Sequence, residues 1–405
     1  MNRRHLLRTW AGATAATAAA ATPLAALSFA AQAAPARSAA AANRLVLVVL
    51  RGGMDGLGAV PVPGDPAFGT ARGPLAGDPA SLRALEGPFA LHPALEQLHA
   101  MVTRQEALVV HAAGLPYRER SHFDAQQVLE SGGTQPFQLS TGWLARALAG
   151  QSARGLALNT AVPLVLRGPG EIDTWAPSAG PEPAPDLVTR LQRLYAGDAQ
   201  LAQALERARN LRQEADMPVG AMAGAGAGGR AAAVALARRA AEFIALPAGP
   251  QAAVLELGGW DTHANQAAPN GALANGLRTL DASLAAMREV LTATQAGGAW
   301  GRTVIVVATE FGRQVAANGT LGTDHGSGGA AFVLGGAVRG GRVLADWPGL
   351  APAARFEGRD LRSTTDLRAV FRSVLADHLQ VSAARLDQEV FPDSGRLGRL
   401  ELIRG

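Results

Sequence analysis

The sequence predicts an α/β fold with a mostly parallel central sheet. Three short, continuous aliphatic runs carry this prediction, because strands of a parallel sheet are buried on both faces. With the residues that follow them, the runs extend from Leu45 to Asp55, from Ala253 to His263 and from Thr303 to Arg313. Each run stops at an acidic residue set among glycines. Ligands of open α/β sheets bind at the carboxyl ends of the strands, so these residues are candidates for a site.

Apolar periodicity and turn residues give the other elements of a single domain over residues 44–400. The predicted strands are 44–50, 107–114, 155–158, 163–167, 252–257, 302–308 and 330–335. The predicted core helices are 93–103, 121–130, 141–149, 271–296 and 365–379. Residues 170–250 contain two helical stretches around a glycine- and alanine-rich segment, and they are predicted to form a helical insertion.

Residues 1–33 have the features of a twin-arginine signal peptide. Arg3 and Arg4 precede a long alanine-rich stretch, and Ala31-Gln32-Ala33 provides a small-residue cleavage pattern. An ordinary secretory leader or an uncleaved anchor is the alternative. Residues 34–43 are predicted to be a flexible linker. The mature chain is therefore expected in the periplasm or outside the cell, with no stable membrane span after the leader is removed.

Charge and cysteine content exclude several classes of protein. The chain contains no lysine, so all 37 basic residues are arginines, and they face 33 acidic residues. Three of the arginines lie in the leader, which leaves a nearly neutral mature chain. This balance, without an arginine-rich stripe interleaved with aromatics, argues against nucleic acid as a partner. The absence of cysteine excludes disulfides, thiol catalysis and cysteine-based zinc sites.

Six polar side chains beyond the strands are predicted to meet around a divalent metal. They are Asp55, Asp261, His263, Glu310, Asp324 and His325. Carboxylates and imidazoles suit Zn²⁺, Mn²⁺ or Ca²⁺ in different mixtures, so the identity of the metal stays open. The alternative is a set of ordinary residues, with Asp55 in an Asp-Gly turn and Glu310 in a surface ion pair with Arg313.

The segment from Arg118 to Asp124 contains a candidate nucleophile. Ser121 lies at the predicted start of a helix, where the dipole and the free N–H groups stabilise an anionic group. Arg118, Arg120 and the more distant Arg313 are candidates for holding phosphate or sulfate oxygens during catalysis. Ser121, three residues before Asp124, fits a helix capping box equally well, so both roles remain open.

The leader and five motifs resemble the secreted bacterial family catalogued as domain of unknown function 1501. The motifs are LRGGMDGL, RSHFDAQ, GGWDTH, TEFGR and DHGSG, in the order of that family and over nearly the whole mature chain. That family is itself similar to the alkaline phosphatase and sulfatase superfamily. The resemblance therefore implies an alkaline-phosphatase-like three-layer sandwich, with a pair of divalent metals at the strand ends and a nucleophile nearby.

The resemblance also implies roles for the residues that match these motifs. Ser121 stands where the superfamily has its nucleophile. Glu310 stands where the superfamily usually has Asp-His, and the Asp-x-His spacing is tighter than usual. These departures imply that one metal is lost or bound differently. The residues that match metal ligands of the superfamily are Asp55, Asp261, His263 and His325.

Two functions from different classes are consistent with the sequence. The first is a periplasmic metal-dependent hydrolase of phosphate or sulfate esters, in which Ser121 attacks a small-molecule or polymer substrate. The second is a non-catalytic, envelope-associated protein that keeps the fold and binds a polymer or a secreted protein partner. The six polar residues at the strand ends favour the first function, and the missing histidine beside Glu310 favours the second.

Overall fold

The structure is a computed structural model that describes residues 42–150, 153–177, 184–214, 229–267, 270–293 and 298–405. The predicted signal peptide and most of the predicted linker lie outside these ranges. Within the ranges, none of the helices combines the length and the hydropathy that a membrane-spanning helix needs.

Most strands of the described chain join one large sheet. The strands are β1 Arg44–Leu50, β2 Arg83–Ala84, β3 Ala90–Leu91, β4 Ala107–Gly114, β5 Arg154–Ala157, β6 Glu171–Thr174, β7 Ala252–Leu257, β8 Thr303–Thr309, β9 Gly329–Leu334, β10 Val343–Leu344 and β11 Thr365–Asp366. The sheet has the order β10-β4-β9-β8-β1-β7-β5-β6, with β11 also paired to β4, while β2 and β3 pair separately.

The α-helices pack on this sheet or extend from it. They are α1 Gly56–Ala59, α2 Phe68–Arg72, α3 Glu96–Thr103, α4 His122–Ser131, α5 Trp143–Leu148, α6 Pro185–Tyr195, α7 Ala199–Glu214, α8 Arg230–Ala245, α9 Ala272–Thr292, α10 Leu367–Asp377 and α11 Ala383–Arg385.

The three aliphatic runs form the centre of the sheet. Strand β1 lies between β7 and β8 and runs parallel to both, as the sequence predicts. In register, Leu50 is opposite Leu257 on one side and Thr309 on the other, so the three strands end at the same level. The loops that follow them therefore leave the sheet side by side.

Side chains that alternate along the strands enter two separate cores, one on each face of the sheet. The even-numbered residues of β1 pack in the core that includes α3, α8 and α9. The odd-numbered residues pack in the core that includes α4, α5 and α10. This arrangement confirms the predicted three-layer α/β sandwich with a mostly parallel sheet, and it explains why the central strands are continuously apolar.

The elements of the predicted insertion over residues 170–250 occupy different positions in the structure. Strand β6 extends the sheet at its edge, next to β5. Helix α8 packs against α9 and β7, and its buried apolar residues belong to the core that includes α3 and α9. Helices α6 and α7 contact each other, and Arg207 of α7 also pairs with Asp173 of β6.

Strand β9 is antiparallel to both of its neighbours, β4 and β8. Because it runs the opposite way, its beginning lies at the edge where the parallel strands end. The segment Thr323 to Gly328, which precedes β9, therefore meets the loops that follow β1, β7 and β8. Helix α4 follows β4 at this same edge.

Two glycines bring the loop after β8 onto the segment before β9. The amide of Gly312 donates to the carbonyl of Ser327 at 3.0 Å, and the amide of Gly326 donates to the carbonyl of Gly312 at 2.9 Å. A Cβ atom added to Gly312 would lie 1.8 Å from the carbonyl oxygen of Gly328. Only glycine fits at position 312 without displacing one of these backbones.

We expect Gly312→Ala to lower the free energy of unfolding by about 2 kcal/mol or more, because the new methyl group overpacks two backbones. Gly319→Ala is the matched control, since no atom lies within 4 Å of the added Cβ at Gly319. The control should change stability by less than about 0.5 kcal/mol. Urea denaturation of both variants checks this, and equal stabilities would contradict the close approach at Gly312.

Candidate metal centre

Three histidines and one aspartate converge at the carboxyl edge of the sheet. The Nε2 atom of His325 lies 3.1 Å from Nε2 of His122 and 3.0 Å from Nε2 of His263. Asp261 Oδ1 lies 2.9 Å from Nε2 of His263 and 3.2 Å from Nε2 of His325. In a tetrahedral zinc site with bonds of about 2 Å, ligand nitrogens lie about 3.3 Å apart. Ligand atoms of His122, Asp261 and His325 all lie within 4.8 Å of one another, so these three side chains are spaced to hold one small divalent ion, while His263 borders them through His325 and Asp261.

Carboxylates lie behind two of these histidines. Glu310, which is buried, has Oε1 at 2.9 Å from Nδ1 of His122, and it also accepts a hydrogen bond from the amide of Gly52 at 2.8 Å. Asp324 Oδ1 lies 3.3 Å from Nδ1 of His263. Partners of this kind fix the orientation of a metal-binding imidazole. The structure thus places Glu310 and Asp324 behind the converging ring nitrogens, although the sequence predicts both as ligands.

The third histidine is oriented by a backbone carbonyl. Nδ1 of His325 lies 3.0 Å from the carbonyl oxygen of Arg120. The guanidinium of Arg120 donates to Asp360 at 2.8 Å and to Glu357 at 2.5 Å. Arg120 was predicted to hold an oxyanion, and the structure instead engages its side chain in these two ion pairs.

Arg313 is buried beneath the cluster and holds several loops together. It donates to Asp261 Oδ1 at 2.6 Å. Its other acceptors are the backbone carbonyls of Gly52, Gly53, Trp260 and Thr323. The structure therefore places Arg313 as a support for Asp261 and its neighbours, whereas the sequence predicts an oxyanion clamp.

Asp55 takes part in a different set of contacts from the other predicted ligands. Its Oδ2 lies 2.5 Å from the guanidinium of Arg72, and both side chains are buried. Its Oδ1 accepts the amide hydrogen of Gly58 at 3.1 Å, and the side-chain amide of Gln266 donates to Oδ2. The structure thus pairs Asp55 with a buried arginine and uses it to cap α1.

Ser121 is the N-cap of α4, as one of its two predicted roles requires. Its Oγ accepts a hydrogen bond from the amide of Asp124 at 3.5 Å. The side chain is half-buried, and its two chain neighbours are both tied to the cluster: the carbonyl of Arg120 contacts His325, and His122 belongs to the cluster itself. Ser121 is therefore directly next to the candidate metal centre along the chain.

His122 is a member of the cluster that the sequence reasoning missed. It lies in the motif RSHFDAQ at the start of a helix, whereas the predicted ligands lie near strand ends. Ser121 and Arg120, which precede it in the sequence, are the residues of this motif that the sequence predicts to be functional. Helix α4 begins with His122, so the helix presents this ring directly at the sheet edge.

The ionisable groups of the centre affect each other's pKa values. The hydrogen bond to Glu310 raises the pKa of His122, against the opposing effect of burial. Burial lowers the pKa of His325. Burial pushes the pKa of Asp261 upward, but the hydrogen bond and charge of Arg313 outweigh it, and the pKa is lowered. Asp261 is therefore ionised at neutral pH and available as an anionic ligand.

A cavity of about 980 Å³ opens beside the loop that carries Asp261. Its walls come from the ends of β5 and β7 and from helices α8 and α9. Trp260, which is buried, lines this cavity, and its chain neighbour Asp261 belongs to the cluster. One loop is thus shared by the cavity and the candidate metal centre.

We expect Arg72→Met to lower the free energy of unfolding by about 3 to 5 kcal/mol, because it leaves the buried carboxylate of Asp55 without its cation. Arg339→Met is the control, since Arg339 pairs with Glu401 at the surface, where an ion pair contributes about 1 kcal/mol or less. Thermal and chemical denaturation of both variants measure the difference. A loss for Arg72→Met no larger than that of the control would contradict the buried pairing.

Several solved structures are similar to this chain at low identity. The phosphonate monoester hydrolase of Agrobacterium radiobacter matches at 12% identity and a TM-score of 0.40, over 84% of this chain and 74% of that chain. The murine ectonucleotide pyrophosphatase/phosphodiesterase 5 in complex with AMP matches at 9% identity and a TM-score of 0.34, over 74% and 90%. The C-terminal periplasmic domain of EcEptC from Escherichia coli, in complex with Zn, matches at 11% and 0.34, over 90% and 93%. These TM-scores are too low to assign an activity.

The sequence comparisons place the chain in a family without placing it beside a characterised protein. No curated protein matches the sequence. A profile of the family described as "Protein of unknown function (DUF1501)" matches residues 97–389, which is most of the chain. The chain therefore belongs to the DUF1501 family.

Proposed function

We propose that this chain is a metal-dependent hydrolase of phosphate or sulfate esters that acts in the periplasm after twin-arginine export. The observation that carries the proposal is the convergence of His122, His263, His325 and Asp261 at the carboxyl edge of the sheet. This edge is where α/β proteins bind their ligands. The location outside the cytoplasm rests on the leader in the sequence.

The hydrogen bonds around the cluster support a bound cation. When the Nδ1 atoms of the three histidines donate to Glu310, Asp324 and the backbone, their Nε2 atoms carry lone pairs and no proton. These lone pairs then face each other and the carboxylate of Asp261, which is unfavourable without a positive charge between them. The donor set of two imidazoles and a carboxylate, with the His263 imidazole beside it, fits Zn²⁺ well and Mn²⁺ acceptably. A divalent ion held there would polarise an ester oxygen.

Ser121 is the proposed nucleophile. Its Oγ would form a bond to phosphorus or sulfur while the bond to the departing alcohol oxygen breaks, and the hydroxyl proton would pass to that alcohol. Water would then cleave the serine ester and release phosphate or sulfate. The first backbone N–H groups of α4 lie beside this hydroxyl and would stabilise the negative charge of the attacked group.

One observation favours the alternative of a non-catalytic binding protein. The guanidinium groups of Arg120 and Arg313, both expected to hold an oxyanion, are engaged by carboxylates and backbone carbonyls. A site in which all four side chains bind the ion would also resemble a structural metal site, because a catalytic one keeps an open position. In that case the chain would bind a polymer or a secreted protein partner.

We expect the purified mature chain to bind about one equivalent of Zn²⁺ or Mn²⁺, because His122, Asp261 and His325 present ligand atoms within 4.8 Å of one another. Loss of an outer partner that orients a metal ligand typically weakens metal binding by about 10- to 100-fold. His122→Ala removes a ligand itself, so it should weaken metal binding by more than this. His99→Ala is the control, since the ring of His99 contacts the carbonyl of Ala84 and not the cluster. Inductively coupled plasma mass spectrometry and competition with a chelator measure both. Wild-type protein without metal would refute the metal centre.

We expect Ser121→Ala to lower the turnover of an aryl phosphate or aryl sulfate by about a thousand-fold or more, with the metal content unchanged. The matched control is Ser382→Ala, because Ser382 caps α11 with a similar hydrogen bond, from the amide of Arg385 at 3.4 Å. A rate that Ser121→Ala leaves unchanged would exclude Ser121 as the nucleophile. No turnover by any metal-loaded protein would support the binding role.

A further inference from the structure

We infer that Asp360 is a positioning residue that holds the backbone of His325 and the carbonyl that orients its ring. This inference rests on the proposed metal centre. Asp360 is buried, with 0% of its surface exposed, and a buried carboxylate needs charged or polar partners. It lies outside all the motifs that the sequence singled out. Its role follows from the contacts that its hydrogen-bond donors make with His325.

Three side chains donate to Asp360. Its Oδ2 accepts from Nε of Arg120 at 2.8 Å and from Oγ of Ser327 at 3.0 Å. Its Oδ1 accepts from Nε of Arg359 at 2.8 Å. Both carboxylate oxygens are therefore engaged, and two of the three donors are cations.

Each donor is connected to His325. The carbonyl of Arg120 is 3.0 Å from Nδ1 of the His325 ring. The guanidinium of Arg359 also donates to the carbonyl of His325. Ser327 is two residues after His325 on the same segment. Asp360 thus holds the ring partner, the backbone and the following turn of one proposed ligand.

The backbone of Arg120 makes this support necessary. Arg120 has a φ of 61°, in the left-handed region that residues with a side chain rarely adopt. Such a conformation persists only when the surroundings fix it. The ion pairs of its side chain with Asp360 and Glu357 supply that restraint, and the guanidinium also lies 5.9 Å from the centre of the Phe356 ring. The carbonyl that orients His325 therefore depends on Asp360.

Loss of the Asp360 charge would loosen this support without removing a metal ligand. The proposed ligands would remain in the chain, but the His325 ring would no longer be held in one orientation. Outer partners of metal-binding histidines typically change metal affinity by about 10- to 100-fold. We therefore expect a weakened site and not an abolished one.

The test is Asp360→Asn in the mature full-length protein, titrated with Co²⁺ and with Zn²⁺ in competition with a chelator. We expect affinity to fall by about 10- to 100-fold, with a changed ligand-field spectrum of bound Co²⁺. The control is Asp281→Asn, because Asp281 is also buried but accepts from the amides of Gln97 and Leu98 at the start of α3. The control should keep the wild-type affinity and spectrum.

The outcomes separate this inference from the proposed function. Wild-type protein that binds no metal would overturn both. Wild-type binding with an unchanged Asp360→Asn affinity and spectrum would overturn only the role of Asp360, as would an equal loss in Asp281→Asn. Should Asp360→Asn fail to fold, Ser327→Ala removes one of the three hydrogen bonds and should weaken metal binding measurably. An unchanged affinity in that variant would overturn the inference.

Discussion

A single buried guanidinium, that of Arg313, joins the loops on which the rest of the site depends. It binds carbonyls from the loop after β1, from the loop after β7 and from the segment before β9, and it is itself part of the loop after β8. The planar fork of donors on an arginine demands that the acceptors keep fixed places. The strand ends are thus linked to each other as well as to the sheet, and the carboxylate of Asp261 is held within the same network.

The candidate centre is organised in layers around this network. Imidazole nitrogens and one carboxylate face inward, while carboxylates and a carbonyl contact the outer ring nitrogens. Beyond those, Asp360 and its arginines fix the backbone. Burial of these charged side chains costs desolvation free energy, so each buried ion must be paired. In the proposed centre these supports lie at one edge of the sheet, where α/β proteins bind their ligands.

The sequence could predict the central strands because residues buried on both faces leave no alternation, and β1, β7 and β8 show this plainly. The sequence also predicts that Asp261, His263 and His325 lie close together, because the segments that carry them meet at the same edge of the sheet. The roles of Glu310 and Asp324 could not follow, since a ligand and the carboxylate behind it have the same chemistry and differ only in position. His122 was missed because a helix start, and not a strand end, carries it to the edge. The pairing of Asp55 with Arg72 depends on tertiary packing that spacing along the chain does not reveal.

The position of β1 has a consequence for how the molecule is made. This strand lies at the middle of the sheet, yet both of its neighbours come more than two hundred residues later in the chain. Contacts of such long sequence separation form slowly, because a large loop must close first. During synthesis, the ribosome must pass Thr309 before the apolar segment 44–50 can be enclosed on both sides. Until then the exposed apolar segment can associate with other chains. A chaperone that binds this first strand of the sheet would reduce such misassociation.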